Sequence, residues 1–276
     1  MNSGIPILLY HSISADDAPR YRKWTLHPNL FAAHMEYLSA HQYTPITVTR
    51  LAQALADPSL PLAERSVLVA FDDGLADFFT DALPVLQRYG FPATLYIVTG
   101  FVNDTSRRFS ADAGGEQPML SWTQISEISA SGVECGAHSH THPQLDIVSP
   151  ARAWDEITRS KMELEQHLGR PIETFAYPYG YHSPTVKQLV RQAGYSSACA
   201  VKNAMSALTD DRFALARVFV TPEMDVERFG KLVRGEGLPI APARERIETK
   251  AWRLVRRSAR WLNRGLPQEK SGQPCA

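Results

Sequence analysis

The sequence predicts an α/β fold assembled from parallel β/α units. Two observations carry this. Short apolar, strand-like runs alternate with amphipathic, helix-like segments from residue 5 to residue 220, the pattern of helices packed on a parallel sheet. The residues able to do chemistry also stand directly after those runs: His11, Asp72, Asp73, His138, His142 and Tyr179. Open parallel sheets and barrels alike carry their sites at the carboxyl ends of the strands.

Taken in order, residues 5–10 read as a first buried strand ending in His11-Ser12, followed by a polar loop containing Trp24. Residues 28–40 have Leu30, Phe31, His34, Met35 and Leu38 at helical spacing, with Pro28 in the first turn. A short strand over 45–48 and a short helix over 50–56 are expected next. Pro58 and Pro61 precede the run Val67-Leu68-Val69-Ala70, a buried strand. A helix over 77–89 should stop at Gly90. Strands are expected over 92–98, 133–137, 173–176, 195–201 and 213–220. Residues 102–118 read as a long surface loop. Ser121, Ser149-Pro150 and Ser183-Pro184 open helices that close near Gly132, Gly169 and Gly194.

The bulk numbers set limits. With 276 residues, 44% hydrophobic and 21% charged, the chain has an ordinary globular composition and can bury a sizeable core. Zero formal net charge argues against a general nucleic-acid binder. Cys135, Cys199 and Cys275 form neither a disulfide framework nor a Cys-x-x-Cys knuckle. The first two lie in strand-like contexts and read as buried thiols. No basic, apolar leader opens the chain, and no run approaches the roughly 18 apolar residues of a membrane span. A cytoplasmic setting is the expectation.

The chemistry gathers in three stretches. Phe71-Asp72-Asp73-Gly74 sets two carboxylates side by side at a strand end. Like charges this close oppose each other's ionisation unless a cation separates them or one acts as a base; alone, the stretch is equally consistent with an Asp-Gly turn. His138-Ser-His-Thr-His142 offers two imidazoles four apart, which one helix-like turn would put on the same side. Asp73, His138 and His142 together form a plausible three-ligand set for one divalent metal ion, Zn first, with Co, Mn or Ni as alternatives, leaving a position open for water. Asp72 would then take the proton of that water, the nucleophile. His140 is read as outside the ligand set, because the sequence continues His142-Pro143 rather than giving a binuclear His-x-His-x-Asp-His pattern.

Phe-Asp-Asp-Gly at 71–74, His-Ser-x-x-His at 138–142 and Tyr-Pro-Tyr-Gly at 177–180 resemble the first three motifs of the polysaccharide deacetylases. These are the NodB-homology domains of carbohydrate esterase family 4. Order and spacing match over roughly residues 4–235. The resemblance implies a distorted (β/α)7 barrel and metal-dependent removal of an N-acetyl group from an amino sugar of a glycan or glycolipid precursor. It implies Asp72 as base, Asp73, His138 and His142 as ligands, and the Tyr179 backbone N–H as an oxyanion donor. The chain departs from the family pattern twice. The arginine that often begins the third motif is replaced by Ala176, and Arg217 is the proposed substitute. The late Leu-x-His motif is absent; Leu9-Tyr10-His11-Ser12 resembles the first strand of the exopolysaccharide-type branch, so His11 is the expected acid, with His182 in reserve. An O-acetyl esterase or N-deformylase using the same site, or a catalytically silent, membrane-associated carbohydrate-binding protein, remain as alternatives.

The sequence divides into a catalytic barrel over 1–235, a Gly/Pro-rich linker over 236–243, a basic amphipathic helix over 244–264 and a tail over 265–276. Residues 244–264 hold eight Arg/Lys against two Glu, a net +6, so the rest of the chain carries −6. Their arginines share one face and Trp252 and Trp261 the other. Such a helix suits an anionic membrane surface or docks on the barrel. The expected partners are an N-acetylated sugar (glycan, lipid-linked or nucleotide-linked) and the inner face of the cytoplasmic membrane.

Overall fold

The computed structural model describes residues 4–15, 22–104 and 118–242. Seven parallel strands close into a barrel with helices outside. Around it run β1 (Ile7–Tyr10), β5 (Ser66–Phe71), β6 (Thr94–Ile97), β7 (Glu134–Ala137), β8 (Thr174–Ala176), β9 (Ser197–Val201) and β10 (Leu215–Phe219). The closing strand is the first. β1 pairs with β5 from Ile7↔Leu68 to Tyr10↔Phe71, and with β10 at Leu8↔Val218 and Leu9↔Phe219. This register puts His11 beside Asp72, one residue past the Tyr10↔Phe71 pair, while Arg217 lies earlier along β10. An N-terminal histidine therefore reaches the same mouth as a residue from the last strand.

The strands are apolar throughout because both faces are covered. In β5, Val67, Val69 and Phe71 join the layer under the helices, while Leu68 and Ala70 join the interior with Ile7, Tyr96, Cys199 and Leu215. The period of two thus sorts one strand between two cores. Gly136 in β7 leaves room for an interior ring: a Cβ there would come within 2.6 Å of Tyr96. The α2 helix (Val48–Ala56) contributes Val48 and Leu51 to the interior cluster. The Glu134 carboxylate accepts the Val48 and Thr49 N–H groups at its start, at 3.0 and 3.1 Å.

Helices α1 (Pro28–Ala40), α3 (Leu83–Tyr89), α4 (Trp122–Ala130), α5 (Pro150–Leu168) and α6 (Pro184–Gln192) lie where the caps put them. Ser121, Ser149 and Ser183 each accept a backbone N–H at the start of a helix, and Gly90 and Gly169 close α3 and α5 at φ 63° and 65°. Four local differences from the sequence reading stand out. The segment expected as a strand over 45–48 is β4 (Thr44–Pro45), and Val48 already begins α2 behind a Thr47 cap. The helix expected from residue 77 starts as a π-helical turn, Phe78–Ala82, before α3. The polar loop after β1 contains a small parallel pair, β2 (Ser12–Ile13) with β3 (Thr25–Leu26). Helix α7 (Val226–Val233), capped by Asp225, was not anticipated.

Both described cysteines are buried, and burial pushes Cys135 up to about 12 and Cys199 to about 11, so neither is a reactive thiolate. Residues 238–241 lie against the barrel, with the Ala241 N–H bonded to the Met205 carbonyl at 2.8 Å. The basic helix over 244–264, the tail, Cys275 and most of the loop expected over 102–118 lie outside the described residues. No helix among the described residues is long and apolar enough to cross a membrane.

Candidate active site and metal centre

The ends of β5 and β7 and the middle of β10 bring the sequence-selected residues together. Asp72 is buried, and both its oxygens are taken by Arg217: Nη1 donates to Oδ1 at 2.6 Å and Nη2 to Oδ2 at 2.8 Å. Arg217 has no exposed surface; its Nε donates to the Ala200 carbonyl at 3.3 Å, and its guanidinium lies over the Tyr96 ring at 5.5 Å. Burial alone would raise the Asp72 carboxyl, but the fork from Arg217 overrides it and holds it at about 2. Asp72 is thus an anion at any ordinary pH.

Asp73 follows at φ 77°. It turns away from Arg217 and towards the histidines. His138 Nε2 and His142 Nε2 lie 3.6 and 3.5 Å from Asp73 Oδ1. The donor atoms of Asp73, His138 and His142 all fall within 4.8 Å of one another, the one such group among the described residues. His138 gives its Nδ1–H to the Ala176 carbonyl at 2.8 Å, which fixes the tautomer and leaves the Nε2 lone pair aimed at Asp73. Burial pushes the His138 imidazole down, against the pull of the Asp72 charge, so it stays neutral, as a ligand must be. Two imidazoles and one carboxylate suit zinc and its neighbours. Their spacing approaches that of adjacent ligands around an ion bound at about 2.0–2.2 Å.

The 138–142 segment is not helix-like. Ser139 and His142 both have left-handed φ, 63° and 57°, and the Ser139 hydroxyl accepts the His142 N–H at 3.0 Å. A tight turn therefore does what a helical turn was expected to do. His140 points elsewhere, its Nδ1 between Thr99 Oγ1 at 3.0 Å and Glu163 Oε2 at 3.1 Å.

His11 is buried beside Phe219, ring centroids 5.6 Å apart. Burial lowers it to about 4, against the Asp72 charge, which pulls it up. Its buried Nδ1 has no hydrogen-bond partner among the described residues. Tyr179 sits in a short 3-10 turn (Pro178–Gly180) at φ 60°, its ring 4.7 Å from that of His142. His182 is stacked on Tyr177 instead. Trp24 packs with Leu75, Val98, Phe101 and Met119. Gly180 has φ 70°, and a Cβ there would lie 2.6 Å from the Val201 backbone nitrogen. Gly180→Ala is expected to cost about 1–3 kcal/mol through strain and overpacking, measurable as a lower urea midpoint at unchanged slope.

Sequence reading missed Glu156, which holds Thr141 from α5, and Asp77, which accepts a hydrogen bond from Ser12. The signal for Glu156 was available: it occupies the buried stripe Ala153, Glu156, Ile157, Ser160 and Leu164 of an otherwise polar helix.

Known proteins resemble this chain in sequence and in fold. The family model for polysaccharide deacetylases matches residues 60–198. A Bacillus subtilis protein named as a polysaccharide deacetylase, YxkH, is 27% identical over 229 residues, covering 83% of this chain and 76% of that protein. The poly-β-1,6-N-acetyl-D-glucosamine N-deacetylase of Escherichia coli is 20% identical over 84% of this chain, which spans only 39% of that larger protein. Among solved structures, the Streptococcus pyogenes deacetylase PplD in complex with acetate superposes with a TM-score of 0.73 at 25% identity, over 84% of this chain and 98% of that one. With the closed seven-stranded barrel, these matches show that the chain belongs to the polysaccharide deacetylase family.

Proposed function

We propose that the protein removes N-acetyl groups from a polymer containing N-acetylglucosamine, with a divalent metal, zinc first, held by Asp73, His138 and His142. The observation that carries this is the division of labour between adjacent aspartates. Asp73 faces two imidazoles, whereas Asp72 has both oxygens on Arg217 and lies 3.6 Å from His138 Nε2 through Oδ2. A bound metal would lower the pKa of water there and polarise the amide carbonyl. Asp72, held as an anion by Arg217, is assigned the proton of the attacking water. Arg217 orients it and keeps it charged. The Tyr179 N–H, in its left-handed turn, is assigned to the developing oxyanion. His11, brought to the mouth by β1, is assigned to protonate the leaving amine; negative charge accumulating beside it would raise its pKa from the low resting value.

The polymer is inferred from the relatives named for poly-β-1,6-N-acetyl-D-glucosamine. A silent sugar-binding protein would have no use for a base locked in this way. Acetate release from such oligomers tests the reading. Metal-stripped protein should release none, zinc or cobalt should restore release, and His11→Ala should lower kcat by about 10²–10⁴-fold, the usual worth of a positioned acid. Release that persists after stripping to less than one-tenth metal occupancy would sink it.

We also assign the +6 segment 244–264 to an anionic membrane surface on the cytoplasmic side. Removing residues 244–276 should abolish binding to anionic vesicles; unchanged binding would refute this.

A further inference from the structure

The turn that carries His138 and His142 is clamped from outside by a carboxylate. Glu156, on α5, has no exposed surface. Its Oε2 accepts the Thr141 N–H at 2.6 Å and its Oε1 the Thr141 hydroxyl at 2.5 Å. Arg152, one turn earlier, comes within 2.6 Å of Glu156 Oε1 through Nη2, which also donates to Thr141 Oγ1 at 3.2 Å. A carboxylate buried this completely needs its lone pairs satisfied. Here Thr141 and Arg152 supply the donors, and Thr141 immediately precedes a proposed metal ligand.

The segment needs such a hold. Ser139 and His142 are non-glycine residues with left-handed φ, a conformation that persists only where its surroundings over-determine it. Residues 99–100 add a second hold: the Gly100 N–H donates to the His140 carbonyl at 2.8 Å, and a Cβ at Gly100 would come within 2.5 Å of that oxygen. The turn is therefore held both by residues 99–100 and by the Glu156 carboxylate.

We propose that Glu156, seated by Arg152, is a positioning residue for the metal centre. By fixing both donors of Thr141, it holds His142 in the conformation that sets Nε2 beside Asp73. It thereby sets metal affinity and geometry, and takes no part in the chemistry. The inference rests on Asp73, His138 and His142 being the ligands.

Cobalt(II) titration of the full-length apoprotein tests it, read by visible absorption and chelator competition, with the apoprotein melting temperature measured alongside. The set is wild type, Asp73→Ala, Glu156→Ala, Glu156→Gln and Thr141→Val. Glu156→Ala should weaken cobalt binding about 10–100-fold, the range for groups that orient a ligand, and alter the visible spectrum. Glu156→Gln keeps an acceptor for the Thr141 N–H and should recover most of the affinity. Thr141→Val keeps the N–H and loses the hydroxyl, so it should bind more weakly than wild type. Should Glu156→Ala not fold, the Gln and Val variants carry the same comparison. Wild-type cobalt affinity and spectrum across the Glu156 and Thr141 variants, with only the melting temperature lowered, would make Glu156 a purely structural carboxylate and overturn the inference. A wild-type protein with no cobalt spectrum that Asp73→Ala abolishes would instead remove the metal-site reading, and this inference with it.

Discussion

Asp72→Asn protein is expected to keep its metal and lose turnover by about 10²–10⁴-fold, the range for loss of a positioned base. Asp73, His138 and His142 are untouched by the change, so metal content after reconstitution should match wild type. The loss should fall on kcat more than KM, because proton abstraction is needed only as the reaction proceeds. The variant should also be less stable. Arg217 has no exposed surface, and an amide in place of the carboxylate presents an NH₂ to one arm of its fork. A buried cation left without its counter-charge costs about 3–5 kcal/mol. Measuring kcat at equal zinc content, with urea unfolding alongside, separates the two effects. Turnover within tenfold of wild type would remove Asp72 from the role of base.

The sequence made the barrel mouth legible because chemistry and topology share a rule. Each functional stretch directly followed a buried run, and parallel βα units place such positions on one face. Helix boundaries were legible wherever a serine cap and a closing glycine framed them, as in α5 from Ser149 to Gly169. What lies across the barrel was legible only through the family resemblance, which singled out Arg217 and His11; composition and spacing carry no trace of it. The Asp72–Arg217 fork joins residues 145 apart, and the closure of β1 between β5 and β10 brings His11 to the same mouth. Helix α7 is weakly marked in the sequence, with Gly230 in its middle; the structure shows why glycine is there, since a Cβ would come within 2.7 Å of the Tyr37 hydroxyl. The 138–142 turn was misjudged as helix-like for a related reason. Its shape is imposed by Glu156 and Gly100 from outside, and four-residue spacing carries no trace of them.

Asp77 has a pH dependence of its own, away from the metal ligands. Burial raises its carboxyl to about 7, against hydrogen bonds from Ser12 and the Ile13 backbone. A raised acid favours the fold when protonated. Its contribution is most favourable below the unfolded value of 3.8 and is lost as pH rises through 7. Asp77→Asn should therefore gain stability relative to wild type between pH 5 and pH 8, seen as a diverging pair of urea midpoints. Midpoints that stay parallel would mean Asp77 is ionised throughout.

Arg217→Met reverses the logic of Asp72→Asn and should leave a stability deficit of the same size, but one that depends on pH. In the wild type, Asp72 titrates at about 2 when folded against 3.8 as a free carboxylate. At about 1.4 kcal/mol per pK unit, that difference stabilises the fold by about 2–3 kcal/mol. The contribution is present in full above pH 3.8 and lost as pH falls through 2. Without Arg217, burial is left as the dominant influence and pushes Asp72 above its unfolded value. The variant should then be about 3–5 kcal/mol less stable than wild-type apoprotein at pH 7, where Asp72 would be an uncompensated buried anion. The deficit should shrink towards pH 4 as that anion takes up a proton. The residual activity should show the same change, with the acid limb of kcat/KM displaced upward. Adding Asp72→Asn to Arg217→Met leaves neither charge, so the double variant should be more stable than Arg217→Met alone at pH 7. A deficit that does not vary with pH, or a double variant weaker than both singles, would mean that Arg217 acts by packing against Tyr96 and Ala200 and not by holding the charge of the base.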